Sequence, residues 1–541
     1  LKDEIQEYSY HIFLFPFKWD FKKNKDLKEI EFSRRISLEA FEKALDKTTW
    51  HRKRFKIGST LDYNEFVYFY DFVHDALLDS EEKQADLLRQ YIYNTGTNFK
   101  YTIYLKDNNS YELAIDKILL NVYSTGVAVL SYHLKNNTYS ERSDIFKINE
   151  FGRRIYPQFL GKESFTEVTK KEFLADRIEV IIDEEERFSE NFNYFDSLKR
   201  VRENPGKLPA FISGLLGNQF ITSGKKTEKG KIHISPVVDD RMFVMCWYAN
   251  KNFCVEVSKF YKIENYYSYA DSNDWYTYIF IDKEKPSCNS IHMKKELLLR
   301  QTYDRWVSEE CCSLFGISRY SFVVLTDSKS FVVDHFKTIY FQMVQLALVQ
   351  RASVLRFSDE VTHISKKIEE KNTTKRIRNL NEHYLKFINK LYFREVTAQE
   401  QGIELYDKIK QSMKIERDVE GLEHDIDKLH QYASLVEDKR NNEQLHLLTI
   451  LGALFVVPAF ITGFFGMNIF AGKLEIASME KYRFILVEIL VIPLLIFLWL
   501  YFKERWKGRN TPWYKKILLI FIPTLIIVMI ISLVLIPGVV L

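Results

Sequence analysis

Residues 447–468 read LLTILGALFVVPAFITGFFGMN, a charge-free apolar run from Leu447 to Phe465 that ends on Gly466-Met467-Asn468. Two more apolar runs follow, 484–502 with the single charge Glu488, and 517–541 with none. A bilayer core takes about 20 residues of helix, and each run is close to that length or beyond it. Three such runs in succession predict membrane spans at 447–465, 484–502 and 517–541. The third either crosses fully or lies as a re-entrant or in-plane segment. The loop between the second and third runs carries Lys503, Arg505, Lys507, Arg509, Lys515 and Lys516 against Glu504 alone. The positive-inside rule places that loop in the cytosol, the 469–483 loop outside, and everything before residue 447 in the cytosol.

Upstream of the first run, Ile415, Val419, Leu422, Ile426, Leu429, Ala433 and Val436 alternate steps of four and three. This is an a/d stripe, and charged residues fill the positions between. No proline lies between Asn379 and Val457, which predicts one continuous helix of roughly 65 residues, about 100 Å long at ~1.5 Å per residue. Thr373-Thr374 and Asn379 suggest a turn before it, with a preceding helix from Asp334 to Glu370 folded back as a hairpin. One hairpin cannot bury so long a stripe, so a homo-oligomer completes it. The predicted domains are a cytosolic α/β unit over 1–333, a helical stalk over 334–446 and a transmembrane region over 447–541.

A proline in the first span followed by aromatic-Gly-Met-Asn at its outer end resembles the CorA family of divalent-cation channels and its zinc-transporting relatives. Here the proline is Pro458 and the aromatic is Phe465, where the family usually has Tyr. The resemblance covers about the last 100–130 residues well. It implies a homopentamer in the cytoplasmic membrane, with the fold class of an α/β cytosolic domain, a long α-helical coiled-coil stalk and an α-helical transmembrane bundle. It also implies a pore entrance at Gly466, Met467 and Asn468. A ring of Asn468 amides there can hold a hydrated Mg²⁺ or other divalent ion through its water, which Mg²⁺ gives up reluctantly. Stepping back from Asn468 at helical spacing gives Gly463, Ala459, Val456, Gly452, Leu448 and Leu445, a narrow uncharged face suited to a dewetting gate. The same small residues also suit helix-on-helix packing.

Three departures narrow what the resemblance implies. The 469–483 loop lacks the family's acidic Met-Pro-Glu-Leu segment and has only Glu475 and Glu480 as acids. A third apolar run replaces a short basic tail. The N-terminal region is about 100 residues longer than is usual. In these respects, and in the opening Tyr10-His11-Ile12-Phe13-Leu14-Phe15-Pro16-Phe17, the chain looks like the CorA-like proteins of type III CRISPR systems. That branch implies a channel opened by a nucleotide second messenger, an adenylated S-adenosylmethionine (SAM-AMP). The alternatives are a housekeeping Mg²⁺, Co²⁺ or Zn²⁺ transporter gated by the cation, and a membrane-tethered nucleotide-processing enzyme.

The region before residue 334 reads as mixed α/β. Strands are expected at Tyr8–Phe17, Asn64–Val73, Asn121–Leu134, Arg241–Trp247, Trp275–Asp282 and Ser321–Thr326, and helices at Glu81–Tyr93 and Met293–Trp306. Aromatic residues make up 15% of the chain, as a sheet-rich core would require. The net charge of +4 gives no case for nucleic-acid binding. Five cysteines without a CxxC pair suggest reduced thiols, neither a disulfide framework nor a zinc ribbon. The charged start, Leu1 to Tyr10, has no signal-like apolar core. No HExxH occurs, and Gly217 and Gly224 before Lys225-Lys226-Thr227 are spaced too widely for a phosphate loop, so neither enzymatic activity nor a covalent cofactor is expected. One constellation stands out, Asn149-Glu150-Phe151-Gly152-Arg153-Arg154. Paired guanidiniums beside a glycine can grip a phosphate, which makes Arg153 and Arg154 candidate ligand-binding residues. Their other reading is an exposed basic turn or an intersubunit ion pair.

Overall fold

The computed structural model describes residues 7–21, 32–80, 87–94, 99–156, 174–182, 187–192, 208–222, 230–237, 240–263, 265–308, 311–328, 331–366 and 373–466, with 499 and 524. The chain divides into two compact units, Leu1–His430 and Gln431–Leu541.

The first unit is built on strands β1 (Ser9–Phe21), β2 (Trp50–Arg52), β3 (Leu88–Tyr93), β4 (Lys100–Tyr104), β5 (Ser110–Tyr123) and β6 (Val127–Asn136). They continue with β7 (Arg177–Ile181), β8 (Arg187–Glu190), β9 (Phe220–Thr222), β10 (Ile232–Pro236) and β11 (Phe243–Ala249). A small hairpin, β12 (Phe260–Tyr261) and β13 (Tyr266–Tyr267), stands apart, and β14 (Thr302–Val307), β15 (Cys312–Ser318) and β16 (Ser321–Thr326) complete the set. The main sheet has 14 strands, and its longest path is β14-β15-β16-β11-β1-β6-β5-β4-β7-β8. Among the described strands, β11–β16 and β9–β10 pair in parallel and the other pairs are antiparallel.

Strand β1 is central because both its faces are apolar. Tyr10, Ile12 and Leu14 alternate with Phe13, Phe15 and Phe17, and all six are fully buried. Each such side chain removed from water contributes about 1.5–3 kcal/mol. The two faces then require two layers of cover. Phe13 packs on Tyr101 at 5.8 Å and beneath helix Arg142–Gly152. Tyr10 packs on Phe336 at 6.4 Å, and farther along β1 Asp20 accepts a hydrogen bond from Arg356 at 2.6 Å. The second face is thus crossed by the segment leading into and through helix α5, in a set of helices numbered α1 (Thr60–Tyr68), α2 (Arg142–Gly152), α3 (Asn273–Phe280), α4 (Ile291–Gln301), α5 (Phe341–Ser365), α6 (Thr373–Lys390), α7 (Glu400–Met413) and α8 (Ile415–Gly466).

Several expectations are corrected. Asn64–Val73 is helix α1 and a short 3-10 turn, because Ser59 Oγ caps the helix by accepting from the Asp62 N–H at 3.2 Å. Trp275–Asp282 is helix α3, capped by Ser272 Oγ on the Trp275 N–H at 3.1 Å and closed by Ile281 in the left-handed region, φ 55°. In both, a capping serine overrides strand-forming aromatics. Of the helix expected at Glu81–Tyr93, residues 81–86 lie outside the described residues and Leu88–Tyr93 is strand β3. The helix near Met293 ends at Gln301, and the last part of its predicted span, Thr302 to Trp306, belongs to strand β14. Asn121–Leu134 is a hairpin, broken where Gly126, φ 79°, turns β5 into β6. Strands at the other three predicted sites are present.

The helix expected before the membrane segment is not continuous. It breaks over 391–399 and again at Lys414, which is left-handed at φ 58°, so that α8 begins at Ile415. Asn379 lies inside α6 and forms no turn. Lys410 secures the break: its Nζ donates to the Arg394 carbonyl at 2.8 Å and meets Glu416 at 3.3 Å. Ile415, Val419, Leu422, Ile426, Leu429 and Ala433 of the a/d stripe are buried, while Val436 is exposed. Helix α5 also begins irregularly, with a π-helical turn over Phe336–Tyr340.

Gly152 sits at the end of α2, where an added Cβ would lie 2.8 Å from the Phe13 ring and 2.9 Å from Ile103. Gly152→Ala is expected to destabilise the first unit by roughly 1–3 kcal/mol through overpacking. A lowered chemical-denaturation midpoint at unchanged slope would register this, and an unchanged midpoint would refute it.

Candidate functional site

The proposed pore face lies on α8. Leu445, Leu448, Gly452, Val456, Ala459 and Gly463 all fall within this helix, and all six are exposed in the single chain. Exposure alone does not select this face, since every residue from Ser434 to Thr449 is exposed too. The glycines are more informative. A Cβ added at Gly452 or Gly463 would meet nothing within 4 Å. Each glycine costs a helix about 1 kcal/mol relative to alanine, and among the described residues the chain's own packing gives no return for that cost. Gly466 is the last residue of α8, and Met467 and Asn468 lie outside the described residues. Among the described residues no helix is long and apolar enough to cross a membrane; apart from Trp499 and Thr524, the runs 484–502 and 517–541 lie outside them.

The arginine pair sits at the end of α2, and both guanidiniums are buried. Arg153 donates to Glu150 Oε2 at 2.5 and 3.1 Å and to the Ile281 carbonyl at 3.1 Å. Arg154 donates to Glu150 Oε1 at 2.5 and 3.2 Å and to Asp240 Oδ2 at 2.5 Å. Glu150 thus divides its two oxygens between the two arginines. Burial lowers the Arg153 guanidinium to about 10, against the pull of Glu150, and Arg154 adds to the lowering. The pair is not an exposed basic turn. Its donors face carboxylates of its own chain, and the knot ties α2 to the segment before β11 and to the end of α3. Sequence reasoning named the arginines and missed their counter-ions. Glu150 was readable as the residue three and four positions back on a helix, whereas Asp240 carried no local signal.

Beside this knot lies a second buried polar group. His11 Nδ1 donates to Asn149 Oδ1 at 2.7 Å, and Ser9 Oγ donates to its Nε2 at 2.8 Å. Burial pushes the His11 imidazole down to about 4, with the Asn149 bond opposing.

Against known proteins, residues 359–504 match the family model described as CorA-like Mg2+ transporter protein. No curated protein matches the chain. The matched segment starts within the last turns of α5, takes in α6 to α8 and Gly466-Met467-Asn468, and reaches past the second apolar run. That part of the chain is therefore similar to the CorA-like Mg2+ transporter family. The sheet and most of α5 lie before it.

Two outcomes follow from the buried groups. Arg154→Ala leaves Glu150 Oε1 without its donor, while Asp240 keeps Arg241 at 2.8 Å and Glu150 keeps Arg153, and is expected to cost about 1–3 kcal/mol, read as a fall in melting temperature. The His11 ring is neutral when folded and titrates near 6.5 when unfolded, so its contribution is intact above about pH 6.5 and is lost as pH falls toward 4. Between pH 7 and 5 it should remove roughly 2 kcal/mol of stability. A melting temperature that rises on this acidification would contradict the assignment.

Proposed function

We propose that this chain is a CorA-type, oligomeric ion channel whose pore is lined by the Leu445-to-Gly463 face of α8 and whose outer entrance is Gly466, Met467 and Asn468. The observation that carries the reading is the family match over 359–504, which includes that face and the tripeptide. The two glycines without an internal contact give it support, because close approach of a neighbouring helix or a narrow lumen accounts for them. Pentameric assembly in the cytoplasmic membrane, with the first unit in the cytosol, is part of the same proposal, as is a hydrated Mg²⁺ or related divalent ion at the Asn468 ring.

The first unit is the controlling element in this reading. Helix α5 crosses the second face of the sheet, and its last residues begin the matched segment, so the sheet and the family part share one helix. Control by a nucleotide second messenger of the SAM-AMP class, in a type III CRISPR setting, is the finer form of the proposal; its support is the enlarged N-terminal region together with the altered 469–483 loop. The second reading, a transporter gated by the cation itself, is favoured by the description of the family that matches.

Flux into liposomes bearing the full-length protein and a trapped Mg²⁺ dye separates these readings. Addition of the nucleotide is expected to raise flux, and Asn468→Ala to lower it at least tenfold. Val456→Ser, which wets an apolar constriction, is expected to raise flux without nucleotide. Flux indifferent to nucleotide but inhibited by rising Mg²⁺ would favour the cation-gated transporter. No flux under any condition would overturn the channel reading.

A further inference from the structure

The arginine knot at the end of α2 does not stop at Asp240. Asp240 also accepts from Arg241 Nε at 2.8 Å and from its Nη2 at 3.2 Å, two residues before β11. The Arg241 guanidinium lies 5.2 Å from the centre of the Tyr320 ring. A second guanidinium, Arg351 of α5, lies 5.1 Å from the same centre. Arg351 Nη1 donates to the Arg319 carbonyl at 2.9 Å, in the turn between β15 and β16. Contacts thus run unbroken from Arg153 at the end of α2 to the middle of α5, and Tyr320 stands between two guanidiniums near the far end of the line.

The charges along this line do not balance. Its guanidiniums are those of Arg153, Arg154, Arg241, Arg319 and Arg351. Against these five stand the carboxylates of Glu150 and Asp240, with Asp282 near Arg153, so two positive charges are left over. The excess lies at the Tyr320 end. Arg351 is only 5% exposed, and neither it nor Arg319 makes an ion pair among the described residues. The Nε atoms of both are buried without an acceptor. Asp418, the acid that bears on Arg351 from α8, is itself held by Arg417 at 2.6 Å. Burial first, and then Arg319, hold the Arg351 guanidinium below its ordinary range. A charge taken out of water without a partner is costly, and buried charges are ordinarily paired. Access is from the turn, where Arg319, Tyr320 and Arg241 are each partly exposed. Arg241 serves Asp240 through Nε and Nη2, which leaves its Nη1 without an acceptor among the described residues.

We infer that a phosphoryl anion binds beside Tyr320, taking hydrogen bonds from the partly exposed Arg241 and Arg319 and balancing the unpaired charge of Arg351. Guanidinium forks match the oxygens of a phosphoryl group, and a group that carries close to two negative charges cancels the excess on this line. The source of the group is free phosphate or the phosphate of a nucleotide. The site joins three separate pieces, namely the approach to β11, the turn before β16 and the middle of α5. An anion there removes a cost already present in the fold and ties α5 to the edge of the two strands. As an input to gating this rests on the channel reading above, whereas binding itself does not.

The test is equilibrium binding to the full-length protein in detergent, with inorganic phosphate and AMP as separate probes. ³¹P line broadening and the melting temperature are the readouts, and chloride at equal ionic strength is the control. Saturable binding of at least one probe is expected, with a melting temperature that rises as the site fills. Arg319→Ala and Arg351→Met should each weaken binding at least tenfold and abolish that rise. Arg319 is partly exposed and makes no ion pair, so Arg319→Ala should fold whatever happens to Arg351→Met, and a melting temperature near that of the unsubstituted protein without anion checks this. Phosphate that competes with AMP identifies the phosphoryl group as the shared element, and binding of AMP alone identifies the nucleotide phosphate as the source. Absence of saturable binding by either probe overturns the site, as does binding unchanged in both variants. Equal protection by chloride also overturns it, because the effect is then general screening. Binding that persists in a protein without flux would sink the channel reading and spare this one.

Discussion

A central strand that is apolar on both faces cannot meet water on either, and the architecture of the first unit follows from that constraint. β1 needs a neighbour on each edge and a layer on each side. α2 covers one side and α5 the other. The second cover is polar where it meets the sheet. Asn121 donates to Gln345 at 2.5 Å, Gln345 donates in turn to Tyr123 at 3.0 Å, and Thr125 bonds with Ser353 at 2.8 Å. Apolar contact would hold a helix in many registers with little preference, whereas paired amides and hydroxyls hold it in one. A helix so seated is suited to carry a displacement of the sheet into the segment that follows.

The sheet and the π-helical turn lie before the family match, and the apolar face of α8 and its tripeptide lie within it. On the proposed reading this divides labour along the chain: the α8 face from Leu445 to Gly463 has the uncharged residue types of a conduit, while the part before the match has buried charge, unmatched buried polar atoms and irregular backbone. Groups of the second kind respond to what binds them, because a ligand can remove a cost already present in the fold.

How much of this was legible in the sequence depended on whether the signal was local. β1 was readable because its apolar residues run unbroken from Ile12 to Phe17, and the stripe from Ile415 to Ala433 because it repeats. α1 and α3 were misread because Phe, Tyr and Trp favour strands, while the deciding serines, Ser59 and Ser272, stand outside the aromatic run. The break at Lys414 had no marker, since neither proline nor glycine occurs there and a lysine took the left-handed angle. Arg153 and Arg154 were visible as a pair, but their partner Asp240 lies 86 residues beyond Arg154 and is joined to it only by folding. The pairing of Lys117 with His133 was equally hidden, because a bulge shifted the register that alternation alone would give.

Gly452 and Gly463 have a consequence for how the second unit comes to be ordered. The end of α8 that carries these two glycines, unlike its buried first turns, gains little from its own chain, so on the proposed reading its order is completed by neighbours. In the proposed oligomer, folding of this segment and assembly become a single equilibrium, and its position depends on how many copies share the bilayer. For such a protein, abundance is itself a structural variable: sparse copies leave the helix loosely held, and crowding them together both builds the conduit and fixes its walls.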